Sequence, residues 1–145
     1  MPITWRLCAL LALGGAIGTL GRFFLGVLAA PVSQALPWGT IGINAVGSFA
    51  IGFFGTLTLA SGRFPVSEEW RLFFMVGVCG GFTTFSAFSL QTLELLRQDA
   101  WARAGLNAAL SVALCIAAVG AGHALAAGLN GGRGAIAQAD VEDEA

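Results

Sequence analysis

Charged residues are so widely spaced along this chain that four long apolar stretches lie between them. No Asp, Glu, Lys or Arg occurs between Arg6 and Arg22, between Arg22 and Arg63, between Arg71 and Glu94, or between Arg103 and Arg133. A bilayer core is crossed by a helix of about 20 apolar residues. The first predicted span extends past Arg22, and the stretch between Arg22 and Arg63 also supplies the second span. The pattern therefore predicts four spanning helices, at residues 4–29, 38–60, 69–96 and 102–128.

Short breaks separate these predicted helices. Residues 31–37 contain two prolines and polar side chains, which is typical of a turn outside the membrane. Residues 61–68 and 97–101 form the other two connections. Ser67, followed by two glutamates, suits a capped helix start, because a hydroxyl and nearby negative charge both stabilise a helix N-terminus.

Composition and aromatic placement agree with a membrane location. Hydrophobic residues make up 57% of the chain and charged residues only 10%, with a mean hydropathy of +0.81. A soluble domain usually carries about 25% charged residues. Indole prefers the membrane–water boundary, and one tryptophan stands at the start of each predicted helix: Trp5, Trp38, Trp70 and Trp101. The sequence therefore predicts an all-α membrane protein.

The chain changes character after Leu129, where polar, glycine and acidic residues replace the apolar ones. We expect residues 1–128 to form the transmembrane domain and residues 129–145 a flexible acidic tail. A net charge of −1 gives no reason to expect a nucleic-acid partner. The three cysteines have no metal-like spacing and are interpreted as buried apolar residues. No cluster of His, Cys or acidic residues predicts an enzyme site.

Small residues and arginine placement predict how the helices assemble. Glycines such as Gly14 and Gly18 in helix one favour close helix packing, which drives association in lipid. Four helices leave little room for an internal pore, so an oligomer is expected. Arginines differ little in number between the two membrane faces, with Arg6, Arg63, Arg71 and Arg133 on one and Arg97 and Arg103 on the other. So weak a bias allows insertion in both directions, which predicts an antiparallel homodimer.

Residues 77–89, in the middle of helix three, predict a helix break. Gly80–Gly81 and Thr83–Thr84 bring together poor helix formers. Broken backbone at membrane depth is tolerated only where it is buried in protein or lines an aqueous cavity. A break exposes carbonyls at the end of one half-helix, which suit a cation, and N–H groups at the start of the next, which suit an anion.

Three residues near this break each have two interpretations, a structural one and one in which the residue contacts an anion. Phe85 and Phe88 share a helix face, and are either packing aromatics or ring edges that contact a partly dehydrated anion. Asn44, in helix two, is either a hydrogen bond between helices or a donor to an anion, because an amide in a membrane needs a partner.

Other polar side chains lie within the spans. They form either a polar track or interhelical hydrogen bonds, and they are Thr40, Ser86, Ser89, Asn107 and Ser111. Arg22 is the charge that lies well inside a span, so it must reach the interface or find a partner. We interpret it as structural rather than as an anion lure.

Three stretches resemble the Fluc (CrcB) family of fluoride channels. They are Gly-Gly-Ala-Ile-Gly-Thr-Leu-Gly-Arg at 14–22, Gly-Thr-Ile-Gly-Ile-Asn-Ala-Val-Gly-Ser-Phe at 39–49, and Gly-Gly-Phe-Thr-Thr-Phe-Ser-Ala-Phe at 80–88. The resemblance covers about residues 5–128. The chain departs from many relatives at Ala87, Gln91 and Asn107, where they carry Thr, an acid and Tyr.

The resemblance implies a passive, fluoride-selective channel that exports cytoplasmic fluoride across the bacterial inner membrane and relieves its toxicity. It implies an antiparallel, dual-topology homodimer with two pores, each lined by Phe85, Phe88 and Asn44. It also implies a structural sodium ion at the dimer centre, held by the backbone carbonyls of Gly80 and Thr83 from both copies. We assign Thr40, Ser86 and Ser111 to the polar lining of the pore.

Two other functions remain open from the residues. A small proton-coupled multidrug exporter would share the four-helix, dual-topology layout, but its relatives use a glutamate in helix one, and this helix one has no acid. A membrane subunit without transport activity would tolerate changes at Phe85 and Phe88.

Overall fold

The computed structural model describes residues 3–132, and the regular secondary structure of that part of the chain is helical throughout. The first span continues into a short 3₁₀ turn, and the third span consists of two helices. Residues 133–145 of the predicted tail lie outside the described residues. The helices are α1 (Trp5–Ala29), α2 (Trp38–Leu57), α3 (residues 68–82), α4 (Phe85–Arg97) and α5 (Trp101–Leu129).

Within residues 3–132, four helical spans are long and apolar enough to cross a membrane, which confirms the predicted number. Long apolar side chains of α1 point outward: Leu20 is 56% exposed, Phe23 61% and Leu28 75%. An apolar surface of this kind needs lipid around it rather than water. The chain is therefore a multi-pass membrane protein, and its four tryptophans lie within the first residues of its spans, as predicted.

The end of the second span and the start of the third differ in detail from the prediction. Helix α2 stops at Leu57, three residues early, and Arg71 Nη1 caps it by donating to Gly55 O (2.9 Å) and Thr58 Oγ1 (2.8 Å). Helix α3 begins at Glu68, but the side chain of Ser67 makes no capping hydrogen bond, so that part of the prediction is wrong. Acidic residues in the first turn stabilise this end instead.

Helix α3 contains a π-helical segment, Phe73–Cys79, which the sequence pattern does not predict. This segment and the following turn pack against α1. A Cβ on Gly14 would lie 2.7 Å from Phe73 O, and one on Gly18 would collide with Val78 O. The predicted role of these two glycines in close helix packing is confirmed.

Helix α2 packs mainly against α5. A Cβ on Gly52 would lie 2.5 Å from Val119 O, and one on Gly122 would collide with Phe49 O. The chain thus consists of two closely packed pairs, α1 with α3 and α2 with α5. The break between α3 and α4 lies where these pairs meet, because α2 also contacts both halves of the third span.

We predict that Gly18→Ala destabilises the protein by about 1–3 kcal/mol relative to Gly26→Ala, because the added methyl group overpacks the α1–α3 contact. Gly26 is the matched control, since it lies in the same helix with open space at its Cβ position. Both changes carry the same gain in helix propensity, so the difference reports the steric conflict. Thermal unfolding in detergent measures it, and equal stability of the two variants would contradict the packing described.

Candidate functional site

The predicted break in the third span lies at Thr83 and Thr84, both of which have extended backbone, with ψ of 160° and 108°. Gly80 and Gly81 remain helical, although the glycines were part of the reason to expect a break. A Cβ on Gly81 would lie 2.5 Å from Gly15 O, so this glycine permits close contact with α1. The break therefore begins only after the chain has passed that contact.

Asn44 of α2 replaces the hydrogen bonds that the break removes. Its Nδ2 donates to Thr84 O at 3.1 Å, and Thr84 N donates to Asn44 Oδ1 at 2.8 Å. Both backbone polar groups of Thr84 are thereby satisfied by one side chain. A primary amide has two N–H donors, so one N–H of Asn44 is left for a further acceptor.

Side chains also cap the two half-helices at the break. Arg22 Nε donates to Gly81 O at 3.1 Å, which places a cation at the C-terminal, partly negative end of α3. Thr84 Oγ1 accepts from Ala87 N at 3.1 Å and caps the N-terminus of α4. The N-terminal end of α4 is partly positive, since its first N–H groups have no partners within the helix.

A cavity of about 340 Å³ opens at the break, between α2, α3, α4 and α5. The Phe85 and Phe88 rings lie 5.2 Å apart at 48°, and Phe85 is 77% exposed in the single chain. None of the described residues that line the cavity carries a formal charge. Six of the sequence-predicted residues meet here: Asn44, Gly80, Thr83, Phe85, Phe88 and Ser111.

Two of the residues assigned to the polar lining of the pore, Ser86 and Thr40, do not line this cavity. Ser86 is exposed, and its hydroxyl lies 3.3 Å from Thr84 Oγ1. Thr40 lies one turn before Asn44 on α2 and lines a second cavity of about 460 Å³, together with Gln91, Glu94 and Arg103. Within the described part of the chain, Gln91 Oε1 is buried there without a hydrogen-bond partner.

Asn107 forms an interhelical hydrogen bond, one of its two predicted roles. It is fully buried, and its Nδ2 donates to Thr92 Oγ1 at 2.8 Å. Ser111 lies 3.5 Å from Asn107 Oδ1 and also reaches the cavity. Thr92 was missed in the sequence, although its spacing of four residues from Phe88 places it on the same helix face.

The other cavity residues were not predicted from the sequence as site residues, and they include Ser48, Met75, Cys79 and Cys115. Ser48 follows Asn44 by four residues, and this spacing was a usable signal. The cysteines were expected to be buried. Cys79 is buried and Cys115 half-buried, but Cys8 is exposed, so the prediction is wrong for Cys8.

This chain is similar to known proteins over nearly its whole length. Residues 9–123 match the family described as "CrcB-like protein, Camphor Resistance (CrcB)". A protein of Gluconobacter oxydans named "Fluoride-specific ion channel FluC" is 58% identical over 144 residues, 99% of this chain and 100% of its own length. Proteins with the same name from Methylobacterium radiotolerans and Opitutus terrae are 57% and 55% identical, over 98% and 86% of this chain and 99% and 95% of their own lengths.

We predict that Asn44→Leu destabilises the protein by about 1–3 kcal/mol for each Thr84 backbone group left without a partner. Ser48→Ala is the matched control, because Ser48 lines the same cavity one turn further along α2. Unfolding curves in detergent compare the two variants. An Asn44→Leu variant as stable as Ser48→Ala would show that water or another group satisfies Thr84 equally well.

Proposed function

The chain belongs to the CrcB-like protein family, and from this premise we propose that it is a passive, fluoride-selective channel of the bacterial inner membrane. The relatives named as fluoride channels align with this chain over most of their length. Hydrogen fluoride crosses membranes as a neutral molecule and ionises in the cytoplasm, where fluoride is trapped. A selective pore lets the anion leave down its electrochemical gradient and so relieves its toxicity.

The observation that carries this proposal is the uncharged cavity where Phe85, Phe88 and Asn44 meet. Aromatic ring edges are partly positive and offer weak contacts to an anion. The second Nδ2–H of Asn44 and the N-terminal end of α4 add donors without adding a formal charge. A small anion that has lost part of its hydration shell suits such a site, and an organic cation does not.

The functional unit in this proposal is an antiparallel homodimer with two pores. Phe85 is largely exposed in the single chain, and Gly80 faces open space at its Cβ position. A second copy seated on this face would cover both and close the cavity into a pore. Among the described residues, the small excess of arginines on one membrane face is compatible with insertion in both directions.

A structural sodium ion at the dimer centre fits the backbone at the break. In a continuous helix Thr84 N would donate to Gly80 O, but here it donates to Asn44 Oδ1. The Gly80 carbonyl loses its regular partner, and Thr83 stands in extended backbone beside it. Carbonyls of Gly80 and Thr83 from both copies would hold the ion, as unwound helices do in other transport proteins. A bound sodium ion would supply positive charge between the two copies.

Other polar residues take supporting parts in this proposal. Ser111 lies in the cavity wall, and Ser86 and Thr40 would extend a polar track beyond it. Thr40 stands one turn from Asn44, in the direction of the second cavity. Arg22 is structural, because its Nε–H is engaged by the Gly81 carbonyl at the end of α3.

We predict that liposomes containing the purified protein release fluoride rapidly and chloride little, with potassium and valinomycin balancing the charge. Phe85→Ile or Phe88→Ile should slow fluoride release on the order of tenfold or more, since each 1.4 kcal/mol or so added to a barrier costs a factor of ten. A fluoride electrode and a chloride electrode record the two fluxes.

Phe53→Ile is the control for the loss of an aromatic ring, because Phe53 stacks on Phe49 (5.9 Å) and does not line the cavity. It should retain fluoride release. Intact, inserted protein that releases no fluoride would overturn the proposed function. If both Phe85→Ile and Phe88→Ile released fluoride at the unchanged rate, the aromatic rings would not line the path of the ion.

We also predict that the N-terminus is found on both sides of the membrane in cells that express the protein. A tag before residue 1 should be labelled by an impermeant reagent in one part of the population, and the remainder only after the membrane is opened. Labelling of all molecules from a single side would exclude the antiparallel dimer while leaving fluoride conduction to be judged separately.

A further inference from the structure

Three sulfur-bearing side chains line the cavity at the helix break: Met75, Cys79 and Cys115. Met75 and Cys79 lie four residues apart in the π-helical segment of α3 and are both buried. Residues at this spacing share one face of a helix. Cys115 comes from α5 and is half-buried. None of these sulfur atoms has a part in the fluoride path proposed above.

We propose that this cavity is a binding site for a soft monovalent cation of the Cu(I) or Ag(I) type. Thiolate and thioether sulfurs are the ligands that select such ions. Helices α3 and α5 bring two thiols and a thioether to one cavity, so an ion held there would link the two helices.

The surroundings of the sulfurs favour a soft, singly charged ion over a divalent one. The described residues of the lining include no carboxylate and no imidazole, which most divalent calcium, magnesium and zinc sites use. In the binding step the cation forms a bond to one cysteine sulfur, and the thiol proton passes to water, with no change in oxidation state. One thiolate then balances one positive charge, so the occupied cavity stays neutral.

Binding has one consequence for transport. Fluoride release should stop when the cavity holds the ion, since Phe85, Phe88 and Asn44 line the same cavity as the three sulfurs. This consequence rests on the proposed function, whereas the binding site rests on the cavity alone.

The experiment uses silver nitrate in chloride-free buffer with the full-length protein in detergent. A Cys8→Ser background removes the exposed thiol, which would bind silver by itself. After gel filtration, the silver and protein in each fraction are measured by elemental mass spectrometry. We expect about one silver ion per chain, as a site of two or three sulfurs would hold.

Two further variants in that background identify the ligands. Cys79→Ala with Cys115→Ala should abolish the retained silver, and Met75→Leu, which nearly conserves side-chain volume, should weaken its binding. The elution position and the unfolding temperature show whether each variant is folded. If the double variant does not fold, Cys115→Ser replaces it, because that side chain is only half-buried.

The outcomes test the metal site and the proposed channel function separately. Equal silver in the Cys8→Ser protein and the double variant, or no silver in either, overturns the site. Retained silver together with arrested fluoride release supports both the site and its position on the path. Retained silver in a protein that releases no fluoride even without silver supports the site and overturns the proposed function instead.

Discussion

A broken helix at membrane depth must have its freed backbone groups satisfied within the protein, because lipid offers no partners. In this chain the pair of hydrogen bonds between Asn44 and Thr84 meets that requirement. Without them two backbone groups would lose their partners, at a cost of about 1–3 kcal/mol each. The orientation of α4 depends on this pair, and with it the position of Phe85 and Phe88 against the cavity.

Close contacts between the helices bring the side chains of Asn44 and Arg22 within hydrogen-bonding distance of the backbone at the break. Gly47 lies three residues after Asn44, and a Cβ there would collide with Thr83 Cγ2, so the glycine lets α2 approach the break without displacing the Thr83 side chain. Gly18 plays the corresponding part for Arg22, which lies four residues further along α1. It lets α1 approach Val78 and Phe82 closely enough for the guanidinium to reach Gly81 O. The hydrogen bonds at the break therefore depend on the close packing of the helices around it.

The four spans could be predicted because the distribution of charge along the chain is a local property of the sequence. The position of the break was predicted only to within a segment, because glycines that are poor helix formers in isolation stay helical where a neighbouring backbone packs on them, as at Gly81. The two readings of Asn44 could not be separated in advance, since the choice depends on which backbone group lies opposite it. The π-helical segment Phe73–Cys79 has no signal in the hydrophobic pattern, and it packs against α1, a contact that is distant in sequence.

The distribution of positive charge around the cavity bears on how an anion could pass through it. A fixed cation about 4 Å from a fluoride ion would attract it by about 4 kcal/mol at an effective dielectric constant near 20. Such an attraction would lengthen the residence of the ion about a thousandfold, and conduction needs binding weak enough for release. Arg22 is instead directed to the Gly81 carbonyl, outside the lining of the cavity. In the proposed channel, an uncharged wall of ring edges and one amide would attract the anion and still let it move, which is the condition that a channel must meet and a binding protein need not.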